Sequence, residues 1–190
     1  VDVARFGDDQ SVISYRRGRD ASTIPWQTYR GKDTMELAAF VAEAVRIHQA
    51  DAVFVDGGGV GGGVIDRLKQ LCVARVEVNF GGNAQDGRYM NKRAEMWGNM
   101  KEWLQGGAIP KERELLDDLI GVEYGFTPTN KLQLEKKEDM KKRGLASPDF
   151  GDALALTFAY PVAPKGIQAG PSEAARARRE YNPFERNRKR

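Results

Sequence analysis

Carboxylates interrupt the apolar sequence of this chain at three places. Asp2 lies inside Val1-Asp2-Val3-Ala4, and Asp56 closes Ala52-Val53-Phe54-Val55-Asp56. Asp149 and Asp152 open the run Ser147-Pro148-Asp149-Phe150-Gly151-Asp152-Ala153-Leu154-Ala155-Leu156. A buried carboxylate is costly unless it is paired or binds a metal. Three such sites in one domain point to a shared cation. The chemistry that suits them is two-metal phosphodiester hydrolysis, in which Mg²⁺ or Mn²⁺ ions about 4 Å apart activate water and stabilise the leaving oxygen. Hard divalent cations take oxygen ligands, and Mg²⁺ keeps several waters, so a few carboxylates suffice. An acid on a central strand, Asp2, can bridge both ions. Asp56 at a neighbouring strand end and the Asp149/Asp152 pair at a helix start can complete the set. Asp149 and Asp152 are three residues apart, so both can face the same ion.

Each acid also has a plainer reading. Ser147-Pro148-Asp149 is a good helix start, with a capping serine, proline at the first helical position and an acid at the positive dipole end. Asp56 alone reads as a turn residue. The joint arrangement carries the argument. His48 is the only histidine and Cys72 the only cysteine, so no Ser/His or Cys/His pair is available and water must be the nucleophile. Cys72 excludes an internal disulfide and a cysteine zinc site, fits a reducing compartment and reads as a core thiol in an apolar helical stretch. His48 falls on the polar side of a helix and reads as exposed.

The elements that must position these acids follow from periodicity and turn chemistry. Residues 1–5, 10–16 and 24–29 read as three strands, with turns at Phe6-Gly7-Asp8-Asp9 and Arg17-Gly18-Arg19-Asp20. Asp33 or Thr34 caps a helix carrying Leu37, Ala38, Val41, Ala44, Val45 and Ile47 at helical spacing. The strand ending at Asp56, a glycine loop, a helix over about 60–71 and a strand over 74–79 follow. After a polar loop at 81–87, a helix over about 91–105 places Met96, Trp97, Met100, Trp103 and Leu104 on a core face. Further elements are a helix at 112–120, strands at 121–126 and 131–134 about the turn Thr127-Pro128-Thr129-Asn130, a polar helix at 135–143 and the final acidic helix. The class is α/β: three antiparallel strands, then parallel strands alternating with helices, an order that resembles the RNase H-like mixed sheet flanked by helices.

The 190 residues are enough for one sizeable core and too few for two ordinary domains. With 41% hydrophobic and 30% charged residues the chain reads as soluble and globular. It has no run able to span a bilayer and no signal-peptide pattern. It opens inside a strand without an initiator methionine, which reads as a fragment of a longer polypeptide. The net charge of +3 is uneven, because residues 165–190 hold eight basic and three acidic side chains. We therefore expect a folded domain over 1–164 and a flexible basic arm over 165–190 that meets phosphate or an acidic partner. Arg5, Lys92, Arg93, Lys136, Lys137, Lys141, Lys142 and Arg143 are candidates for phosphate contact. The mixed run at 136–143 reads equally as a solvated helix face.

Four segments together resemble a known family. They are Val1-Asp2-Val3-Ala4-Arg5-Phe6-Gly7-Asp8-Asp9, Val55-Asp56-Gly57-Gly58-Gly59-Val60-Gly61, Asn91-Lys92-Arg93-Ala94-Glu95-Met96-Trp97 and Ser147-Pro148-Asp149-Phe150-Gly151-Asp152-Ala153-Leu154-Ala155. Their order and spacing over about residues 1–160 are similar to the C-terminal nuclease domain of tailed-phage large terminase subunits. Asp152-Ala153-Leu154-Ala155-Leu156 also resembles the last motif of bacterial Holliday-junction resolvases. The resemblance implies a metal-dependent endonuclease that cuts concatemeric double-stranded viral DNA in the host cytoplasm during capsid filling. It implies Asp2 and Asp56 as the first two ligands, Asp149 from the terminase motif and Asp152 from the resolvase motif as candidates for the third, and Asp8 as an acid near the metal. It further implies an upstream ATPase domain in the same polypeptide, and a portal ring and small terminase subunit as partners. No Gly-x-x-x-x-Gly-Lys-Ser/Thr loop occurs in the chain, so it is not itself the motor.

Two rival readings make different demands. Gly57-x-Gly59-x-x-Gly62 after a strand, with Glu77 about twenty residues on, matches a dinucleotide-binding fingerprint. Asp56 directly before the glycines would repel a pyrophosphate, and three antiparallel strands do not suit that fold. The glycines are better explained by a tight turn beside Asp56. A non-catalytic module of the same fold that docks DNA or a portal would bind DNA without metal-dependent cleavage.

Overall fold

The computed structural model describes residues 1–4 and 10–165, so Arg5, Asp8 and all of the basic tail beyond Lys165 lie outside the described residues. The order is β1 (Ser11–Ile13), β2 (Gln27–Tyr29), α1 (Thr34–His48), β3 (Phe54–Asp56), α2 (Gly61–Gln70), β4 (Val76–Val78), α3 (Lys92–Leu104), α4 (Arg113–Gly121), β5 (Tyr124–Phe126), β6 (Leu132–Leu134), α5 (Lys137–Lys142) and α6 (Asp149–Leu156). Each helix lies where the periodicity predicts it, and the strands are shorter than predicted.

β1 pairs antiparallel with β2, β3 pairs parallel with β4, and β5 pairs antiparallel with β6, as three two-stranded sheets. The expected first strand is reduced to a bridge. Asp2 exchanges both backbone hydrogen bonds with Val12, at 3.0 Å each, while Val1 N donates to Phe54 O and Asp56 N donates to Val1 O. Residues 1–2 are thus tied to β1 on one side and β3 on the other.

Alternation along these strands sorts side chains to two faces. Val1, Ile13, Val53 and Val55 pack with Leu37, Ala38 and Val41 of α1 and Val64, Ile65 and Leu68 of α2. Val12, Phe54 and Val78 point the other way, into Met96, Trp97 and Met100 of α3, Leu115 of α4 and the apolar residues of α6. The helix stripe read as core is core. By the same parity Asp2 and Asp56 face the α3/α4/α6 side. Apolar burial on both faces is what fixes that parity, because a one-residue slip would exchange Asp2 for Val1 in the core.

Local chemistry explains the helix ends. Asp33 caps α1, with its Oδ1 accepting from Met35 and Glu36 N–H, and Glu36 returns a bond to Asp33 N in a capping box. Asn91 caps α3 through Ala94 N–H. The serine cap expected for α6 does not form: Pro148 holds the N-cap position and no local side chain caps the helix. Two other expectations also change. Cys72 is exposed just beyond α2 in left-handed backbone, not buried in the core. His48 is half-buried and meets Tyr15 edge-on at 4.8 Å between ring centroids. Among the described residues no helix is long and apolar enough to cross a membrane.

Candidate metal centre

The strand ends deliver two acids to the face that α6 covers. Asp2 is 3% exposed, and Asp56 ends β3. The glycine loop after Asp56 is folded tightly against it. Gly58 N–H donates to Asp56 Oδ1 at 2.9 Å, and Gly59 adopts φ +57°. A Cβ on Gly61 would stand 1.7 Å from Asp56 O, a position no other residue could occupy. Glycine is therefore required here by the turn itself, as the sequence implies.

α6 supplies the other two acids, both buried. Asp149 Oδ2 accepts from Gln10 N–H at 3.0 Å. Asp152 is fully buried, held by two hydrogen-bond donors and one ion-pair partner. Arg93 Nε and Trp97 Nε1 reach its Oδ1 at 2.9 and 2.8 Å, and Lys137 Nζ forms an ion pair with Oδ2 at 3.0 Å.

Mutual repulsion marks the four as one electrostatic unit. Burial pushes the Asp2 carboxyl well above its ordinary value; the Lys137 ammonium opposes this, and Asp152, Asp149 and Asp56 raise it further. Asp56 is raised by burial, against the Gly58 N–H bond and Lys137. Burial also works to raise Asp152, but Arg93 and Lys137 outweigh it and hold the carboxyl below its ordinary value. Lys137 loses solvation in this site yet is held charged, above its ordinary value, by Asp152 and Asp2. Among the described residues no three His, Cys, Asp or Glu side chains are drawn together tightly enough to ligate one ion in this arrangement. The donor set still fits a hard divalent cation: it is oxygen-only, and burial, reinforced by the neighbouring acids, raises Asp2 and Asp56 in a way that a bound cation would offset.

The basic candidates divide. Lys92 and Arg93 are buried, with Lys92 paired to Glu95 at 2.7 Å and Arg93 to Asp152. Lys137 joins the carboxylates, and Lys136 is exposed. Lys142 pairs with Asp139, and Arg143 with Glu123 and Glu135.

Two participants carry no signal that singles them out in the sequence. Trp97 reads as core stripe, yet its indole N–H bonds Asp152. Asp118 of α4 belongs to no motif, yet its Oδ2 accepts from Gly151 N–H at 3.0 Å at the start of α6. Burial raises the Asp118 carboxyl to about 7, against the Gly151 and Phe150 N–H bonds and reinforced by Asp149 and Asp152.

No protein-family model and no curated protein matches the chain. Solved structures do. The nuclease domain of the large terminase subunit of bacterial virus Sf6 superposes with a TM-score of 0.72 at 19% identity, covering 85% of this chain and 86% of that one. The large terminase nuclease of thermophilic phage G20c with bound magnesium gives 0.55 at 13% identity, covering 81% and 83%. Other structures of these two domains contain manganese, calcium or cobalt. At these identities the likeness is one of fold: the chain has the mixed α/β fold of phage large-terminase nuclease domains.

Proposed function

We propose that this chain is a metal-dependent endonuclease domain that cleaves double-stranded DNA, and that its setting is the packaging of concatemeric viral DNA in the host cytoplasm. The observation that carries the reading is the placement of Asp2, Asp56, Asp149 and Asp152 close enough to act on one another's charge, with burial holding the Asp2 and Asp56 carboxyls above their ordinary values. In this reading the β1–β2 and β3–β4 pairs join through residues 1–2 into one mixed sheet, in the order β2, β1, residues 1–2, β3, β4.

When bound, two Mg²⁺ or Mn²⁺ ions would activate water and stabilise the leaving oxygen. Asp2 would bridge them and Asp56 would hold one. Asp149, with Asp152 beside it, would hold the other. Asp149 is favoured for direct ligation by the terminase-like motif, with Asp152 beside it, whose Oδ2 has the Lys137 ion pair but no hydrogen-bond partner among the described residues. Arg93 and Trp97 orient Asp152. Lys137 supplies the balancing charge, close enough to the acids to meet a phosphate oxygen of bound DNA. Lys136 would contact the DNA backbone, giving salt-sensitive binding with little sequence preference. Lys92, buried, would act by fixing Glu95, whose Oε1 accepts from Gln85 and Asp86 N–H in the loop before α3. Arg5, Asp8 and a basic tail over 165–190 belong to the same proposal, as do an upstream ATPase domain, a portal ring and a small terminase subunit as partners.

One observation favours a second reading: Lys137 already sits among the carboxylates, as a permanent counterion would in a non-catalytic DNA- or portal-docking module. Supercoiled-plasmid cleavage at low salt with EDTA, Mg²⁺ or Mn²⁺ separates the two. Nicking that needs metal and disappears in Asp56→Ala is expected. DNA retardation on a gel without cleavage under any metal would favour docking.

A further inference from the structure

We infer that Asp118 is a positioning residue that caps α6 from α4 and thereby sets the directions of Asp149 and Asp152; the inference rests on the metal-centre reading above. The first turn of a helix leaves its N–H groups without intrahelical partners, and buried ones must find acceptors elsewhere. α6 has no local side-chain cap. Asp149 N–H donates back to Ser147 O at 2.9 Å, and Asp152 N–H donates to Pro148 O at 2.8 Å. Of the two N–H groups between them, that of Gly151 donates to Asp118 Oδ2 at 3.0 Å, and that of Phe150 stands near enough to act on the same carboxylate. These two residues form the link between the acids, so the Asp118 carboxylate fixes the turn that carries both.

The surrounding packing admits little else. A Cβ on Gly151 would lie 2.7 Å from the Trp97 ring and 3.2 Å from Asp118 Cβ, so the helix start is pressed between α3 and α4. Leu115, fully buried one turn before Asp118, keys α4 into the core. A second route from α4 reaches the same acids. Glu114 Oε2 accepts from Gln10 Nε2 at 2.9 Å, and Gln10 N–H donates to Asp149 Oδ2. α4 thus holds the backbone of α6 through Asp118 and the Asp149 carboxylate through Gln10. A serine or threonine could cap a helix without charge. An aspartate can do so too and, when ionised, places a further negative charge beside the four, which a bound cation would favour.

The test uses the full chain and compares Asp118→Ala, Asp118→Asn and Leu37→Ala by two readouts: amide hydrogen exchange at Gly151, and Mn²⁺ titration by calorimetry. Asp118→Ala is expected to speed exchange at that amide and to weaken Mn²⁺ binding about tenfold. Asp118→Asn, which keeps an acceptor oxygen, is expected to restore most of both. Leu37→Ala, destabilising but in the core cluster on the other face of the strands, is expected to keep Mn²⁺ affinity within about twofold wherever it is folded. Unchanged exchange in Asp118→Ala would overturn the cap. Unchanged Mn²⁺ affinity with faster exchange, or equal loss in Leu37→Ala, would overturn the positioning role. Failure of the native chain to bind Mn²⁺ would sink the metal-centre reading and this role together, while the exchange result would still report whether the cap exists.

Discussion

At the scale of single residues, the arrangement turns on how the Asp152 charge is supported. The carboxylate is fully buried and its Oδ1 takes two donors, Arg93 Nε and Trp97 Nε1. Removing one partner of a buried ion pair leaves the other uncompensated, at a cost of about 3–5 kcal/mol. Arg93→Ala is therefore expected to lose stability in that range in urea denaturation. Combined with Asp152→Asn it should lose less than the sum of the two single changes, because the charge left stranded in the first variant is gone in the second. Strict additivity would mean that the two do not form a working pair. Trp97→Phe keeps most of the packing and removes one donor to a charged acceptor, so a loss of about 1.5–3 kcal/mol is expected. The acids themselves were legible in the sequence because charge within apolar runs is anomalous. Their partners were not. Arg93 and Trp97 lie more than fifty residues from Asp152 along the chain, and inside an ordinary amphipathic pattern a donor aimed at a buried acid looks like any other helix residue. Asp118 was hidden for the same reason, as one of two adjacent acids in a helix with an exposed face.

At the scale of elements, what positions Asp56 is the glycine loop more than β3. The dinucleotide-fingerprint spacing at 57–62 is met, but the glycines answer a geometric need: a Cβ at Gly61 would collide with the Asp56 carbonyl oxygen, and Gly59 takes the left-handed conformation. Gly61→Ala is expected to displace the loop and cost about 1–3 kcal/mol, with Mn²⁺ affinity falling alongside. Gly62→Ala, whose Cβ would meet no atom within 4 Å, should be close to neutral in both. Equal effects at the two positions in a calorimetric comparison would remove the loop from the argument. Helices were readable at this scale from apolar spacing and caps such as Asp33 and Asn91. Strand lengths were not. Pairing that involves only one to three residues leaves no periodicity to read at the strand ends, and Val1 and Asp2 are recruited to β1 and β3 by backbone hydrogen bonds that side-chain pattern does not encode. The expected Ser147 cap failed because Pro148 took the N-cap position and a residue from another helix satisfied the turn.

At the scale of the whole molecule, the acids make the metal-free fold pH-sensitive in a direction opposite to that of an ordinary salt-bridged protein. Asp2, Asp56 and Asp118 are all raised in the folded state, Asp118 to about 7 from an ordinary 3.8. The folded chain therefore keeps protons that the unfolded chain releases, and stability falls as pH rises from about 4 to about 7. Asp152, held low by Arg93 and Lys137, works the other way, but its contribution is lost only as pH falls below the ordinary carboxylate range. Asp118 is only half-buried, so solvent screening keeps its share well below a fully buried acid's. Scanning calorimetry in EDTA should show a midpoint that drops between about pH 4 and pH 7. A ligand that binds only the folded state stabilises by about 2.7 kcal/mol at a hundred times its Kd. Saturating Mn²⁺ at about pH 8 should therefore recover much of the loss, because it neutralises the charge that deprotonation creates. In Asp56→Ala the metal-free slope should be shallower and the Mn²⁺ recovery should largely vanish. A midpoint that instead rises with pH in EDTA would mean that the acids are already compensated within the fold, with Lys137 and Arg93 as sufficient counterions. The carboxylate cluster would then have no unmet demand for a cation, and the docking reading would account for it better than the nuclease reading does.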